Sequence, residues 1–184
     1  MTNAAIHETA VILPGVKIGN FCVVAANVTL SAGVILEDFA MVQEGSVIGE
    51  GTKIGTYCKV GKGVVIGKHC SFTSYCEIRD GCVLGDNVLM GSRGTLSAGT
   101  IVEDHVIMKY SFVVTDTPDL TRNNEKIVGR IGKGARFGAC VALMPGVSIG
   151  ENAEIGAFSL VRTHIPANEI WYGIPAKFYR AVGL

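Results

Sequence analysis

An apolar residue recurs at every sixth position from Ile6 to Val114 without a miss, through Ile12, Ile18, Val24, Leu30, Leu36 and onward to Val102, Met108 and Val114. Two residues before most of these anchors stands a small or short side chain, as at Cys22, Val34, Ala40, Ser46, Thr52 and Cys58. Both positions of each hexad therefore face an interior. A helix repeats its apolar face near every 3.6 residues and a single strand every second one. A period of six fits neither, and predicts a coil of short strands joined by tight turns. The turns agree with this: three residues after the anchor come Gly15, Asn27, Gly33, Gly45, Gly51, Gly63, Gly81, Asn87 and Gly99, residue types that tolerate positive φ. Leu13-Pro14-Gly15-Val16 spells a type II turn. Aromatic residues take the corner at Phe21, Phe39, Tyr57 and Tyr75, 18 residues apart. Three hexads thus make one triangular coil. The aromatics are expected to form a ladder along one edge, as a stacked rib or as part of a subunit contact.

After Val114 the register breaks, and it resumes at Ile131, Phe137, Leu143, Ile149, Ile155 and Val161. The interruption, residues 115–130, is polar and aperiodic, and solenoids tolerate such extruded loops at their corners. If Ile131 takes the place that the next hexad would have filled at Leu120, then Cys140 and Phe158 continue the aromatic edge. From Pro166 to Leu184 the repeat is lost again, with Trp171, Tyr172, Phe178 and Tyr179 in a tail expected to cap the open strand edges of the last coil. The organisation read is one domain: a β-helix over residues 1–165 with the inserted loop 115–130, then a capping tail over 166–184.

Composition narrows the function classes. An apolar share of 48% commits the chain to a buried core. Lys plus Arg equals Asp plus Glu at 16 each, so the basic footprint that nucleic acid or an anionic membrane requires is missing. Residues 1–10 lack a basic segment followed by an apolar run, and no apolar stretch approaches membrane-spanning length, so the chain reads as cytoplasmic. Of six cysteines, Cys22, Cys58, Cys70, Cys76 and Cys82 hold the small inward position, which makes them free thiols acting as small hydrophobes. Cys58 and Cys76 stack one coil apart, about 4.8 Å by strand spacing. Parallel side-chain vectors and a reducing compartment both disfavour a bridge.

The hexads Ile48-Gly49, Ile54-Gly55, Ile66-Gly67, Leu84-Gly85, Ile149-Gly150 and Ile155-Gly156 resemble those of the left-handed β-helix acyltransferases, and the resemblance covers almost the whole chain. It implies an all-β, left-handed parallel β-helix. Handedness comes from the resemblance alone, since the general rule for parallel crossovers favours the right-handed winding. The resemblance further implies a homotrimer with its active site between subunits, acyl-CoA laid along the groove, and the loop of one subunit reaching its neighbour. On that basis Gly138, Ala139, Ala142 and Ala157 are the small residues that let pantetheine approach the backbone. The tail piece Gly173-Ile174-Pro175-Ala176-Lys177 is similar to the family's G-x-P-A-[KR] ending, which assigns Lys177 and Arg180 to the CoA phosphates.

Members that acylate hydroxyls carry a catalytic His, in the galactoside type inside a T-x-x-H-P-like piece of the loop. The comparable piece here is Val114-Thr115-Asp116-Thr117-Pro118, with Thr117 before the proline. A hydroxyl nucleophile must lose its proton as it attacks, whereas a neutral amine attacks with its own lone pair. The missing His favours an amine acceptor. The chain is most similar to N-acetyltransferases acting on the 3-amino group of nucleotide-linked sugars, through Ile54-Gly-Thr-Tyr-Cys-Lys-Val60, Val102-Glu-Asp-His-Val106 and Val113-Val-Thr-Asp116 followed by Pro118 and Arg122. It departs from them at Gly91-Ser92-Arg93, where that group has Q-N-N, and at Val114-Thr115-Asp116, where it has F-T-N. The resemblance implies acetyl-CoA as co-substrate and a small-molecule acceptor. Asp116 is expected to orient the amine and accept its proton, with His105 behind it. Arg93 and Arg122 are candidates for the nucleotide diphosphate, and Ser111 and Thr115 for the rest of the acceptor site.

Two other classes stay open: an O-acetyltransferase with His105 as base, and a non-catalytic β-helix scaffold. His69 and His105 lie two coils apart on one corner, about 9.6 Å by strand spacing, which is awkward for sharing a metal, and no metal site is expected. His7 reads as structural, and His164, near Pro166 at the last coil, as a turn residue, with a place facing CoA as the alternative.

Overall fold

The computed structural model describes residues 3–121 and 126–183. In each hexad two residues form a strand, the first facing outward and the second inward, as in Val47–Ile48 and Val65–Ile66. The next residues turn the corner, and the small residue then points back inside. Three such strands close one coil, and each strand pairs in parallel with its counterpart 18 residues on, as Val60 does with Ile78 and Ile66 with Leu84. Stacking gives three sheets: sheet A of nine strands beginning at Ala5–Ile6, sheet B of seven beginning at Val11–Ile12, and sheet C of ten beginning at Lys17–Ile18. The result is a parallel β-helix of about nine turns, with no helix among the described residues. The chain runs from A to B to C in every coil, so its corners form three edges, AB, BC and CA.

The corners are where period six is decided. The Gly and Asn corners adopt positive φ, and so do Phe21, Phe39, Tyr57 and Tyr75 on the CA edge, at 57° to 63°. That conformation costs a side-chain-bearing residue about 1–2 kcal/mol. Here the four rings stack face to face with centroids 5.1, 4.7 and 5.1 Å apart, contacts worth about 0.5–1.5 kcal/mol each. The ladder expected from the 18-residue spacing is a rib whose stacking offsets part of its backbone strain.

The small inward position has a second task besides filling space. Ser46 Oγ donates to the Gly61 carbonyl at 2.7 Å, Thr52 Oγ1 to Gly67 at 2.9 Å, and Cys58 Sγ to Thr73 at 2.7 Å, always 15 residues on. The same atoms accept the N–H of the residue 18 on, from Val64, Cys70 and Cys76. Each therefore satisfies two backbone groups of the next corner that the ladder leaves over, groups that are costly to bury unpaired. The thiols are thus hydrogen-bonding plugs, equivalent to Ser and Thr, rather than hydrophobes only. All six cysteines are free, five of them buried and Cys140 half-buried. Burial pushes the Cys82 thiol up to about 11 and raises Cys70 as well. A soluble aromatic disulfide at pH 8 is accordingly expected to titrate one thiol per folded chain, Cys140, with the other five appearing only in denaturant. Rapid reaction of a second thiol in the folded protein would contradict the plug assignment.

Across the loop the pairing distance grows from 18 to 29 residues: Val102 pairs with Ile131, Met108 with Phe137 and Val114 with Leu143. It returns to 18 at Phe137 and Ile155. The insertion adds eleven residues at the AB edge and leaves the coil above in step. Cys140 and Phe158, with φ of 57° and 56°, accordingly continue the CA edge above Ser111. Inside, Phe112 stacks on Phe137 at 4.7 Å and joins the coils on either side of the insertion. In the tail, Glu169–Gly173 extends sheet C in parallel beside Glu154–Ile155, and Ala176–Ala181 folds back on it antiparallel. Trp171 and Ala176 pack against the core.

Candidate active site

The loop leaves sheet A at Val114, and its first residues are tied down. Thr115 donates both its N–H, at 3.0 Å, and its hydroxyl, at 2.8 Å, to the Leu143 carbonyl. Asp116 is buried and accepts hydrogen bonds from the Thr117 hydroxyl at 2.9 Å and the Lys126 ammonium at 3.4 Å. Arg79, two coils below on the same edge, brings its guanidinium to 3.9 Å from the other carboxylate oxygen. Burial pushes the Asp116 carboxyl up, but the hydrogen bonds from Thr117 and Lys126 and the charges of Lys126 and Arg79 outweigh it and hold the group below the usual carboxylate range. The loop returns through Ile127, whose N–H donates to the Asp116 carbonyl at 2.8 Å, and through Arg130, whose Nε donates to Glu103 at 2.7 Å.

The residues singled out from the sequence fall on three different edges. Thr115 and Asp116 root the loop at the AB edge. His105 is an exposed corner residue of the BC edge with φ of 60°, in one column with His69, Asn87 and Gly134. Arg93 and Ser111 are corners of the CA edge, with φ of 61° and 57°. Sheet B separates Asp116 from His105 within one chain. Arg122 lies outside the described residues. Among the described residues no group of three or more His, Cys, Asp and Glu side chains is placed to hold a metal, and no helix is long and apolar enough to cross a membrane.

The residues assigned to CoA lie closer together. Gly138, Ala139 and Ala157 sit at successive CA corners of the last coils, with Ala142 on the adjoining strand of sheet A. On the sheet C side of that edge is a groove of about 450 Å³, floored by Ile107, Gly138, Gly156 and Ile170, with Lys109 and Arg136 at its margin. A side chain at Gly138 would collide with the backbone of Ala157, 2.4 Å from its nitrogen, so close coil stacking already demands glycine there. Lys177 and Arg180 are exposed on the terminal hairpin, paired with Tyr172 and Ile170 at the end of sheet C.

Comparison with known proteins matches this architecture. A family model described as bacterial transferase hexapeptide (six repeats) matches residues 45–80 and 129–163, and one described as hexapeptide repeat of succinyl-transferase matches residues 8–32. The chain belongs to the hexapeptide-repeat transferases. Serine acetyltransferase 2 of Arabidopsis thaliana is 42% identical over 53 residues, 29% of this chain and 16% of that protein. The galactoside O-acetyltransferase of Escherichia coli K12 is 40% identical over 52 residues, 28% of this chain and 26% of that protein. The match thus spans about a quarter or less of the length of these curated relatives. Among solved structures, a UDP-N-acetylglucosamine acyltransferase superposes with a TM-score of 0.69 at 18% identity, over 98% of this chain and 73% of that chain. That likeness is one of fold.

Sequence reasoning missed Arg79 and Lys126, the two cations paired with Asp116, and Lys109 at the groove. Arg79 was detectable in principle, since it precedes Thr115 by two full coils in the 18-residue register.

Proposed function

We propose that this hexapeptide-repeat transferase moves an acetyl group from acetyl-CoA to the amino group of a small nucleotide-linked sugar, at a site completed between the protomers of a homotrimer. The state of Asp116 carries the reading. It is buried, paired with Lys126 and Arg79, and held below the usual carboxylate range, which makes it too weak a base to deprotonate a hydroxyl as it attacks. The loop root holds no histidine, with Thr117 before Pro118. An amine needs no base at the moment of attack. Its lone pair forms the C–N bond to the thioester carbonyl, the C–S bond breaks, CoA leaves as thiolate, and the ammonium proton passes through Asp116 or water to neutralise it. The groove along sheet C takes the pantetheine, with Lys177 and Arg180 on the phosphates; Arg93, on the CA edge, is remote from Asp116 and is not part of this acceptor site.

A three-fold arrangement is supported by sheet B, whose outward row Val47, Val65, Val83 and Ile101 is 38–44% exposed. Rows this apolar mark interaction surfaces. Packing it about a three-fold axis sets the AB edge of one protomer against the BC edge of the next. Asp116 then lies about one coil rise, ~4.8 Å, from the level of the partner subunit's His105. A second reading has support in the matched relatives, a serine acetyltransferase and a galactoside O-acetyltransferase: O-acetyl transfer with His105 as base.

Mass spectrometry of amino and hydroxy nucleotide sugars incubated with acetyl-CoA separates the readings, and avoids thiol-release assays to which Cys140 would contribute. Acetylation confined to the amino sugars is expected. His105→Ala should then lose less than about ten-fold at high pH, whereas loss of a required general base costs about 100-fold or more. Acetylated hydroxy sugars together with a dead His105→Ala variant would favour the second reading. Failure to bind millimolar acetyl-CoA would leave only a scaffold.

A further inference from the structure

Charge around the root of the loop does not pair off evenly. Asp116 takes its hydrogen bonds from Thr117 and Lys126, Lys59 faces Glu77 at 3.6 Å and Lys62 faces Glu44 at 3.8 Å. Among the described residues there, Arg79 is the cation left over. Its guanidinium is half exposed, lies 3.9 Å from Asp116, and donates no hydrogen bond to a described residue. The neighbouring Asp80 turns to the coil below, where it accepts the Lys62 N–H at 2.9 Å and covers Gly61. On the sheet A side of the AB edge the first corner positions run Gln43, Gly61, Arg79, Ser97 and Thr115. Ser97 is buried, with its hydroxyl on the Val114 carbonyl, so no bulky side chain of that column stands between Arg79 and Asp116. Gly61 leaves a hollow beneath Arg79, a cleft of about 190 Å³ bordered by Gln43, Lys59, Glu77 and Ala98. Gln43 in turn borders a more apolar hollow of about 370 Å³, with Val23, Ala25 and Met41.

We propose that this track holds the acceptor: Arg79 and Lys59 bind the diphosphate of the nucleotide-linked sugar, and its nucleoside lies beyond Gln43 against the apolar hollow. The inference rests on the reading of Asp116 as the amine end given above. A guanidinium presents five N–H donors in a planar fork that matches phosphate oxygens. Arg79 can turn to them without unseating Asp116, which keeps Thr117 and Lys126. Lys59 and Glu77 are 48% and 44% exposed, and a pair so open to water is held weakly, so the ammonium can swing to a phosphate. From the level of Thr115, Arg79 lies two coils down and Gln43 four, about 9.6 and 19 Å by strand spacing. That is the order of an extended ligand: amine, phosphates, base. Glu77 and Asp80 repel bare polyanions, so the cleft selects an anion that is also held at its two ends.

Calorimetric titration of the 184-residue chain with nucleoside diphosphates of the common bases and with inorganic pyrophosphate tests the cleft without any acetyl transfer. At least one nucleoside diphosphate should bind, and more tightly than pyrophosphate. Arg79→Ala and Gln43→Glu should each weaken it at least about ten-fold, the loss expected for one charged contact, with acetyl-CoA affinity unchanged. Gln43→Glu adds a charge of nearly the same shape four coils from Asp116, so its effect cannot pass through that carboxylate. In turnover, the loss in Arg79→Ala should fall on KM for the amino sugar nucleotide rather than on kcat. A nucleoside diphosphate affinity that either variant leaves unchanged, no binding at millimolar concentration, or an Arg79→Ala loss confined to kcat would overturn the inference. Binding that depends on Arg79 in a chain that acetylates no amino sugar would support the cleft and overturn the transfer reaction instead.

Discussion

Truncating Phe112 to alanine is expected to cost about 3–5 kcal/mol and to lower the melting temperature by roughly 10 °C for a chain of this size. Phe112 occupies the small inward position that Cys58, Cys76 and Gly94 hold in the coils below, yet it is a full aromatic ring with no exposure, stacked on Phe137. Backbone pairing continues across the insertion on all three sheets, and this ring pair is the large side-chain contact that fills the interior between the lower coils and those above. A solenoid's stability is close to a sum of coils and neighbour contacts, and weakening one contact should split the transition. Hydrogen exchange in residues 131–161 should then accelerate before that of residues 41–84. A shift in melting temperature below about 2 °C, with one cooperative transition retained, would show that the seam is held by something else.

The second large effect is expected at Gly129, where the loop re-enters the coil. A Cβ there would lie 1.6 Å from the Val147 carbonyl oxygen and 2.3 Å from its carbon, both backbone atoms with nowhere to go. Gly129→Ala should therefore displace the returning strand, at a cost of about 3 kcal/mol or more. It should also move Lys126 away from Asp116 and lower the proposed acetyl transfer at least about ten-fold, in keeping with the sensitivity of catalysis to small misplacements. The control is Gly63→Ala, a corner with φ of 60° but nothing within 4 Å of the added carbon, which should lose only about 1 kcal/mol from backbone strain. Proteolysis of the loop and thermal melts of both variants make the comparison. Equal, mild behaviour of the two would contradict the role given to the re-entry point.

Much of the fold was legible because each hexad repeats one local decision: an aliphatic anchor inward, a corner residue that accepts positive φ, a small residue inward. Phe21, Phe39, Tyr57 and Tyr75 revealed the three-hexad coil because a bulky corner residue stands out against glycine, and the same arithmetic carried Cys140 and Phe158 onto their edge across the loop. The candidate site was less legible, for a geometric reason. His105 is close in sequence to Arg93, Ser111 and Asp116, but consecutive corners go to different edges: Arg93 and Ser111, 18 apart, share the CA edge, His105 lies on the BC edge and Asp116 on the AB edge. Proximity in the chain therefore misleads in this fold, and Arg79, 37 positions before Asp116, is the true neighbour. The hydrogen bonds of the buried thiols were invisible for another reason. Cys, Ser, Thr, Ala and Val all fit the small position, so its occupant does not disclose whether a polar group is being used.

The insertion of eleven residues between Val102 and its partner Ile131 leaves every coil above it in register. Its two described roots are fastened, the outgoing one by Leu143 at Thr115 and by Arg79 at Asp116, the returning one by Gly146 at Ile127 and by Glu103 at Arg130. The register of the β-helix is thus set outside the stretch between those moorings. Under the proposed function, the loop's share of acceptor preference becomes an exchangeable part, one that grafting between the moorings can replace while the strand pairing of the coils is kept.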